Sequence, residues 1–340
     1  MHPFDQKLAL ASCITDVAGL CVGHAQMQRR ATGCSVVLVP EGACAAVDVR
    51  GAAPGTRETD LLTPGNLVES VHAIALCGGS AFGLEAATGV MRWLEAHGYG
   101  LQTGAAQVPI VPAAVLYDLL LGDARIRPDA QCGYDACEAA MHAKASSGQR
   151  PLAQGNVGAG SGALVGKIFG ADRAMRGGIG SASITLEGTT VGALIACNAV
   201  GDVRHPYQGH LLAGARQTAD SRVMVDAYER LLAGEAPMPV IAGTNTTIGV
   251  IATNTTLAKP QLQRLAMAGH DGLARTITPV HTMSDGDTLF ALSTRQQTQS
   301  PGMLVLTAMA NEAVALATMR AVLHATDYQD AQTWAPAAAH

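Results

Sequence analysis

Short apolar runs closed off by Gly, Pro or Asp recur through the whole chain, alternating with longer stretches of helical period. The runs "SVVLVP" (35–40), "HAIALCGG" (72–79), "TVGALIAC" (190–197), "TIGVIAT" (247–253), "TLFALST" (288–294) and "MLVLTAM" (303–309) are predicted to be buried strands. The helical segments are "LEAATGVMRWLEAHG" (84–98), "DACEAAMHAKA" (135–145), "ARQTADSRVMVDAYERLLAG" (215–234), "QLQRLAMAGHDGLART" (261–276) and "NEAVALATMRAVLHAT" (311–326). Buried strands and one-faced helices are satisfied only by stacking in layers, so the chain is expected to be an α/β protein. With 340 residues, 48% of them hydrophobic, it can bury a substantial core, and its 38 glycines are dispersed rather than gathered into a linker. One domain spanning 1–340 is the expectation.

Charge excludes whole classes of partner. Only 14% of residues are charged, the formal net charge is −5, and no run of Lys or Arg stands out, so neither nucleic acid nor an anionic membrane has a footprint to bind. The first residues, "MHPFDQKLALASCITD", fall short of a secretory signal or an anchor, which makes a cytoplasmic location the expectation. The eight cysteines, Cys13, Cys21, Cys34, Cys44, Cys77, Cys132, Cys137 and Cys197, never form Cys-x-x-Cys and lie mostly in apolar company, as small buried hydrophobes do in a reducing compartment. No His-x-x-x-His pair falls within a helical pattern, and Cys132 and Cys137 lack a nearby His, so neither a metal nor a cofactor is expected.

The stretch "TNTTIGVIATNTT" (244–256) carries the same four residues twice, nine apart, on either side of a predicted strand. Asn and Thr are ordinary turn and cap residues, and Asn-Thr-Thr is also a glycosylation sequon, irrelevant in the cytoplasm. The second copy has a structural explanation: Thr255 or Thr256 would cap the helix that follows, with Pro260 in its first turn. The first copy is a hydroxyl cluster wedged between "MPVIAG" (238–243) and the core strand, where polar groups need partners. It is either a loop or a nucleophile. A cut between Asn245 and Thr246 would put a hydroxyl and a free α-amine on one residue. Such an amine, with a pKa near ~7.7–8.0, can take the hydroxyl proton at neutral pH without a separate His.

Other candidates are weaker. "GAGSGALVGK" (158–167) lacks the Gly a phosphate-binding P-loop needs at Ser161 and the Ser or Thr it needs at Ile168. It fits the relaxed dinucleotide fingerprint through Gly158, Gly160 and Ala163, without a clear preceding strand. "CGGSAFGLEAA" (77–87) is a strand-to-helix turn that either presents N–H groups to an anion or allows close packing. In "HTMSDGDTLFALST" (281–294), Asp285 and Asp287 stand two apart before a strand. They are either a turn, or a pair in which one carboxylate orients the nucleophile or its amine and the second holds the first.

Taken together and in order, "GAAPGTRETDLL" (51–62), "LCGGSAFGLEAATGV" (76–90), "VPAAVLYDL" (111–119), "GAGSGALVGK" (158–167), "ACNAVGDV" (196–203), "AGTNTTIGVIATN" (242–254) and "SDGDTLFALST" (284–294) resemble a known family. It is the β-aminopeptidase and D-aminopeptidase/esterase family, which also contains the nylon-oligomer (6-aminohexanoate-oligomer) endohydrolase. The resemblance implies a four-layer α-β-β-α sandwich and self-cleavage into an α chain, 1–245, and a β chain, 246–340, whose first residue is the nucleophile. The aminopeptidase branch cuts Gly-Ser and carries Ser-x-Glu, whereas Asn245-Thr246 and Asp285-Gly286-Asp287 are similar to the nylon-hydrolase pattern. By the same resemblance Tyr117 and Asn198 stand near the reacting carbonyl, Asn198 as the better oxyanion donor, and Lys167 is a charged lysine that orients the hydroxyl. The implied substrates are small linear amides or peptides: β-peptides, D-amino-acid amides or ω-amino-acid oligomers. The implied assembly is a homo-oligomer of αβ heterodimers, a tetramer or larger. The alternatives are an acyltransferase of the ornithine-acetyltransferase type, whose distinctive motifs are missing here, and a nucleotide-binding α/β protein.

Overall fold

Alternation along the strands decides the layering, because successive side chains of a strand point to opposite faces. The computed structural model describes residues 12–145, 151–239, 243–331 and 333–338. The main strands are β1 (Cys21–Gln26), β2 (Gly33–Val49), β3 (Thr56–Arg57), β4 (Ser70–Cys77), β5 (Ala113–Val115), β6 (Gly178–Leu186), β7 (Thr189–Asn198), β8 (Thr246–Thr255) and β9 (Thr288–Gln297). The long helices are α1 (Glu85–Ala96), α2 (Ala130–Ala145), α4 (Lys259–Ala274) and α5 (Met303–Leu323), with a short α3 (Ala227–Leu232).

Among the described residues the nine strands run β6-β7-β8-β9-β2-β4-β5-β3, with β1 also on β2. The first half of β2 pairs with β1 and its second half with β9, and it pairs with β4 on both sides of a register shift between Leu38 and Ala43. One strand thereby serves two sheet layers. Val36 and Leu38 face α1 and α2, while Val37 and Val39 face inward. On the other side Ala193, Ile195, Ile251, Leu289 and Ala291 face α4 and α5, while Leu194, Ala196, Val250, Phe290 and Leu292 meet Val37 and Ile74. The result is the α-β-β-α sandwich, with three apolar layers between four.

Four of the six predicted strands lie inside observed ones and "HAIALCGG" overruns β4 by two glycines, but "MLVLTAM" is the start of α5. A wholly apolar run has no period to betray its state, and only its uninterrupted continuation to Leu323 distinguishes it. This helix is long and apolar enough to span a membrane, yet 72% of its most apolar window is buried in the fold. The predicted helix 215–234 shrinks to Ala227–Leu232, capped by the Asp226 carboxylate on Glu229 N–H. Upstream, the Arg216 guanidinium is buried and bonded to the carbonyls of Asp172, Ala174, Ala219 and Ser221, which holds the chain in a loop.

Nor do Thr255 and Thr256 cap α4. Thr255 ends β8, the Thr256 hydroxyl donates to the Gln297 carbonyl at 3.1 Å, and Ala258 holds the cap position, with Pro260 in the first turn as expected. The second Asn-Thr-Thr is structural all the same. Its Asn254 side chain accepts from Thr190 N–H at 2.9 Å and donates to the Gly188 carbonyl, tying the turn between β6 and β7 to β8. Of "MPVIAG", residues 240–242 lie outside the described residues.

Strand β6, "GIGSASITL", has no apolar run to reveal it. Its glycines are what let α5 lie on it: a Cβ on Gly180 would meet the Ala317 carbonyl at 2.1 Å and the Ala321 nitrogen at 2.4 Å. Backbone cannot yield as a side-chain tip can, so Gly180→Ala should lower stability by about 1–3 kcal/mol, read as the shift of the denaturant midpoint.

Candidate active site

Five chain segments converge at one end of the sheet. Antiparallel pairing of β7 and β8 sets the last residue of β7, Asn198, directly opposite the first of β8, Thr246. Parallel pairing of β8 and β9 brings the residues before each strand together, and Asn245 bridges to Asp285. The segment after β5 supplies Tyr117, and the loop after the Gly-rich stretch supplies Lys167. Directly opposed residues share a face, so Asn198 and Thr246 present their side chains to the same space.

The Asn198 carboxamide is held on both ends. Its Oδ1 accepts from Leu164 N–H and from Lys167 Nζ, both at 3.0 Å, and its Nδ2 donates to the Tyr117 carbonyl at 2.9 Å. That pattern fixes which end is nitrogen and leaves the second Nδ2 proton for another acceptor. Lys167 Nζ also donates to the Asn198 carbonyl at 2.9 Å and the Thr244 carbonyl at 3.1 Å. Three acceptors for three protons suit the ammonium. Burial nevertheless pulls Lys167 down to about 7, with Asp285, Cys197 and Asp287 pushing back up. A lysine that simply stays charged was expected; instead its proton is loosened by burial.

Thr246 is only 3% exposed, and its hydroxyl donates to the Asn245 carbonyl rather than meeting Lys167. The same carbonyl accepts from Gly286 N–H at 2.9 Å. Position 286 must be glycine: a Cβ there would meet Thr246 Oγ1 at 2.9 Å and the Ala53 carbonyl at 2.7 Å. The flanking carboxylates divide their work. Asp287 Oδ1 accepts from Thr247 N–H at 2.6 Å, and Asp285 Oδ2 accepts from the Thr282 N–H and hydroxyl at 2.8 and 2.7 Å. Burial, reinforced by the neighbouring Asp287 charge, raises Asp285 to about 6 against the bonds from Thr282 and the charge of Lys167. Two such perturbed groups gathered where β7, β8 and β9 meet mark a candidate functional site.

A cleft of about 220 Å³ opens beside Tyr117, Lys167, Thr244 and Asn245, with Leu120 and Met238 on its walls. Through Leu120 and Ala171 it adjoins a larger cavity of about 420 Å³ lined by Leu121, Leu164 and Trp334 and by Asp172 and Asp220. Thr246 lies behind Asn245, outside both linings.

The Gly-rich stretch does not match a dinucleotide site, since Gly158–Gly160 form a buried 3₁₀ turn followed by the two-residue strand Leu164–Val165 rather than a helix. The turn after β4 does meet an anion, but an internal one: Gly79 N–H donates to Asp118 Oδ1 at 2.9 Å, and Asp118 is paired with buried Arg30 at 2.9 Å. Arg30, Asp118, Thr282 and His281 were not singled out in the sequence, and Gly286 entered only as the middle of Asp285-Gly286-Asp287, with no role of its own. Gly286 lies between the two singled-out carboxylates, and His281 opens the stretch that contains them.

Fold and site together are those of a layered α/β protein with a buried hydroxyl, a lysine and two carboxylates gathered at one end of a sheet. The chain matches Peptidase family S58 over residues 12–333, and it belongs to that family. It is 48% identical to an uncharacterised aminopeptidase of Mycobacterium leprae over 291 residues, 83% of this chain and 78% of that protein. It is 36% identical to the 6-aminohexanoate-oligomer endohydrolase of a Kocuria species over 281 residues, 82% of this chain and 74% of that enzyme. A β-aminopeptidase of a Burkholderia species superposes with a TM-score of 0.66 at 23% identity, covering 96% of this chain and 91% of that one. The L-aminopeptidase D-Ala-esterase/amidase of Ochrobactrum anthropi, described as a variant of the Ntn hydrolase fold, gives 0.69 at 20%, covering 97% and 92%. The chain is thus an enzyme that hydrolyses peptide or amide bonds.

Because Asp285 binds its proton more tightly in the fold than at its ordinary value of 3.8, ionising it costs stability; the cost is absent below 3.8, grows up to about 6 and is constant above. An Asn keeps an acceptor for Thr282 without the charge. Asp285→Asn should therefore raise the melting temperature by at least about 2 °C at pH 7.5 and leave it near wild type at pH 3.5, as calorimetry at the two pH values would show.

Proposed function

We propose that the chain cuts itself between Asn245 and Thr246 and that Thr246 is then the nucleophile of an amide hydrolase. The observation that carries this is the Asn245 carbonyl: it receives Gly286 N–H at 2.9 Å while the Thr246 hydroxyl lies against it. A donor already on the oxygen that would turn negative is the arrangement an acyl shift needs. Thr246 Oγ attacks the Asn245 carbonyl carbon, the C–N bond breaks, and the α-amino group of Thr246 takes up the proton. Water then opens the Asn245 ester.

In turnover the free α-amine accepts the hydroxyl proton, Thr246 Oγ attacks the substrate carbonyl, and the departing amine is protonated. Water releases the acyl group. Asn198 Nδ2, with its spare proton, is the donor for that second oxyanion, and Lys167 keeps the carboxamide turned the right way. The Asp285 and Asp287 charges flank the new ammonium. The substrates are small linear amides or peptides carrying a free amine. Similarity to both a mycobacterial aminopeptidase and a nylon-oligomer hydrolase supports that class.

Thr246→Ala should give a single uncut chain with no amidase activity, because one hydroxyl serves both reactions. Thr256→Ala should cost at most about 1 kcal/mol, for one exposed hydrogen bond, and Thr255→Ala, whose hydroxyl has no partner among the described residues, should also leave cutting intact. Intact mass and N-terminal sequencing of the smaller piece decide: a first residue other than Thr246, or an active enzyme that is never cut, would refute the assignment.

A further inference from the structure

Asp287 meets a second residue besides Thr247. The His281 N–H donates to Asp287 Oδ2 at 3.2 Å, and His281 Nδ1 lies 2.7 Å from the same oxygen. With both donors on one oxygen, His281 has a left-handed backbone, φ +57°, a conformation uncommon outside Gly and, among other residues, reached most often by Asn, Asp and His. Strain of this kind persists where surrounding structure holds it. Because a carboxylate only accepts, Nδ1 must carry the proton.

Behind His281 stands fully buried His270, ring centroids 4.8 Å apart and planes at 71°. His270 Nε2 donates to the Asp48 carbonyl at 3.0 Å, which leaves its Nδ1 as an acceptor, and among the described residues neither that atom nor His281 Nε2 finds a partner. Burial holds His270 down to about 4, so it is neutral in the working range. The charged and titratable groups around this pair are Asp287, Asp285 and Lys167 on the nucleophile side, and Asp48, paired with Arg50, behind His270.

We propose that His281 is a positioning residue: it grips one oxygen of Asp287 through two donors, so that the other oxygen is aimed at the Thr247 N–H beside the nucleophile, and the neutral His270 ring wedges it there. This rests on the assignment of Thr246 as the nucleophile, and extends the site by a residue that touches no substrate. A misdirected Asp287 would slow chemistry without loosening substrate.

The test compares His281→Ala, His281→Asn and Thr246→Ala. Asn tolerates the left-handed backbone and its Nδ2 stands where histidine Nδ1 stood, so it restores the grip without an imidazole. For His281→Ala, kcat should fall about 10- to 100-fold with KM changed less than about twofold. His281→Asn should recover most of kcat, which also covers the case in which the alanine variant fails to fold. An alanine variant with wild-type kcat, one whose loss falls on KM instead of kcat, or an asparagine variant as impaired as a folded alanine variant, overturns the proposal. If Thr246→Ala is still cut and active, the nucleophile assignment falls instead, a result that His281 variants cannot produce.

Discussion

Everything at the catalytic end hangs on one buried carboxamide. Asn198 joins the end of β7, the loop carrying Lys167, the ribbon at Leu164 and the segment after β5 through hydrogen bonds of 2.9–3.0 Å. A buried amide with unmet donors or acceptors costs on the order of 1–3 kcal/mol each, so this hub is stable only when all four segments are in place. Order at the site and completion of the fold are therefore the same event.

Burying charge sets the second constraint. Lys167 and Asp285 are both driven toward their neutral forms by desolvation, and each is partly rescued by the other. Opposite charges in a poorly solvated space are worth more to one another than in water, but removing them from water is expensive. The enclosed arrangement leaves protons near pH 6 and 7 on groups that would otherwise titrate several units away. Groups that can both take up and release a proton near neutral pH suit a hydrolysis, which moves protons between its steps.

Layering was legible because buried strands advertise themselves: "SVVLVP", "TVGALIAC", "TIGVIAT" and "TLFALST" all lie within the two sheets. What failed was arbitration between states of equal hydrophobicity, as at "MLVLTAM", and detection of a strand built from Gly and Ser, as at Gly178–Leu186. At the site, the chemically loud residues Thr246, Asp285 and Asp287 stood out, and family likeness added Lys167, Asn198 and Tyr117. Gly286, Arg30 and Asp118 were silent: a backbone N–H has no residue type, and an ion pair formed 88 positions apart leaves no local pattern. His281 sat in plain view, yet its value lies in a left-handed backbone that sequence alone does not announce.

Strands β8 and β9 lie together between β7 on one side and β2 on the other. Everything after Thr246 is thus a wedge driven into a sheet whose flanks belong to the earlier part of the chain. An intact polypeptide can unfold and find its way back, because the wedge remains tethered. Once severed ahead of β8, it would face a search through solution for a slot that has no shape until the wedge fills it. Such a protein would have a memory of its own synthesis: its working form would be reachable only through a precursor, and heat would end its life by a rate rather than by an equilibrium.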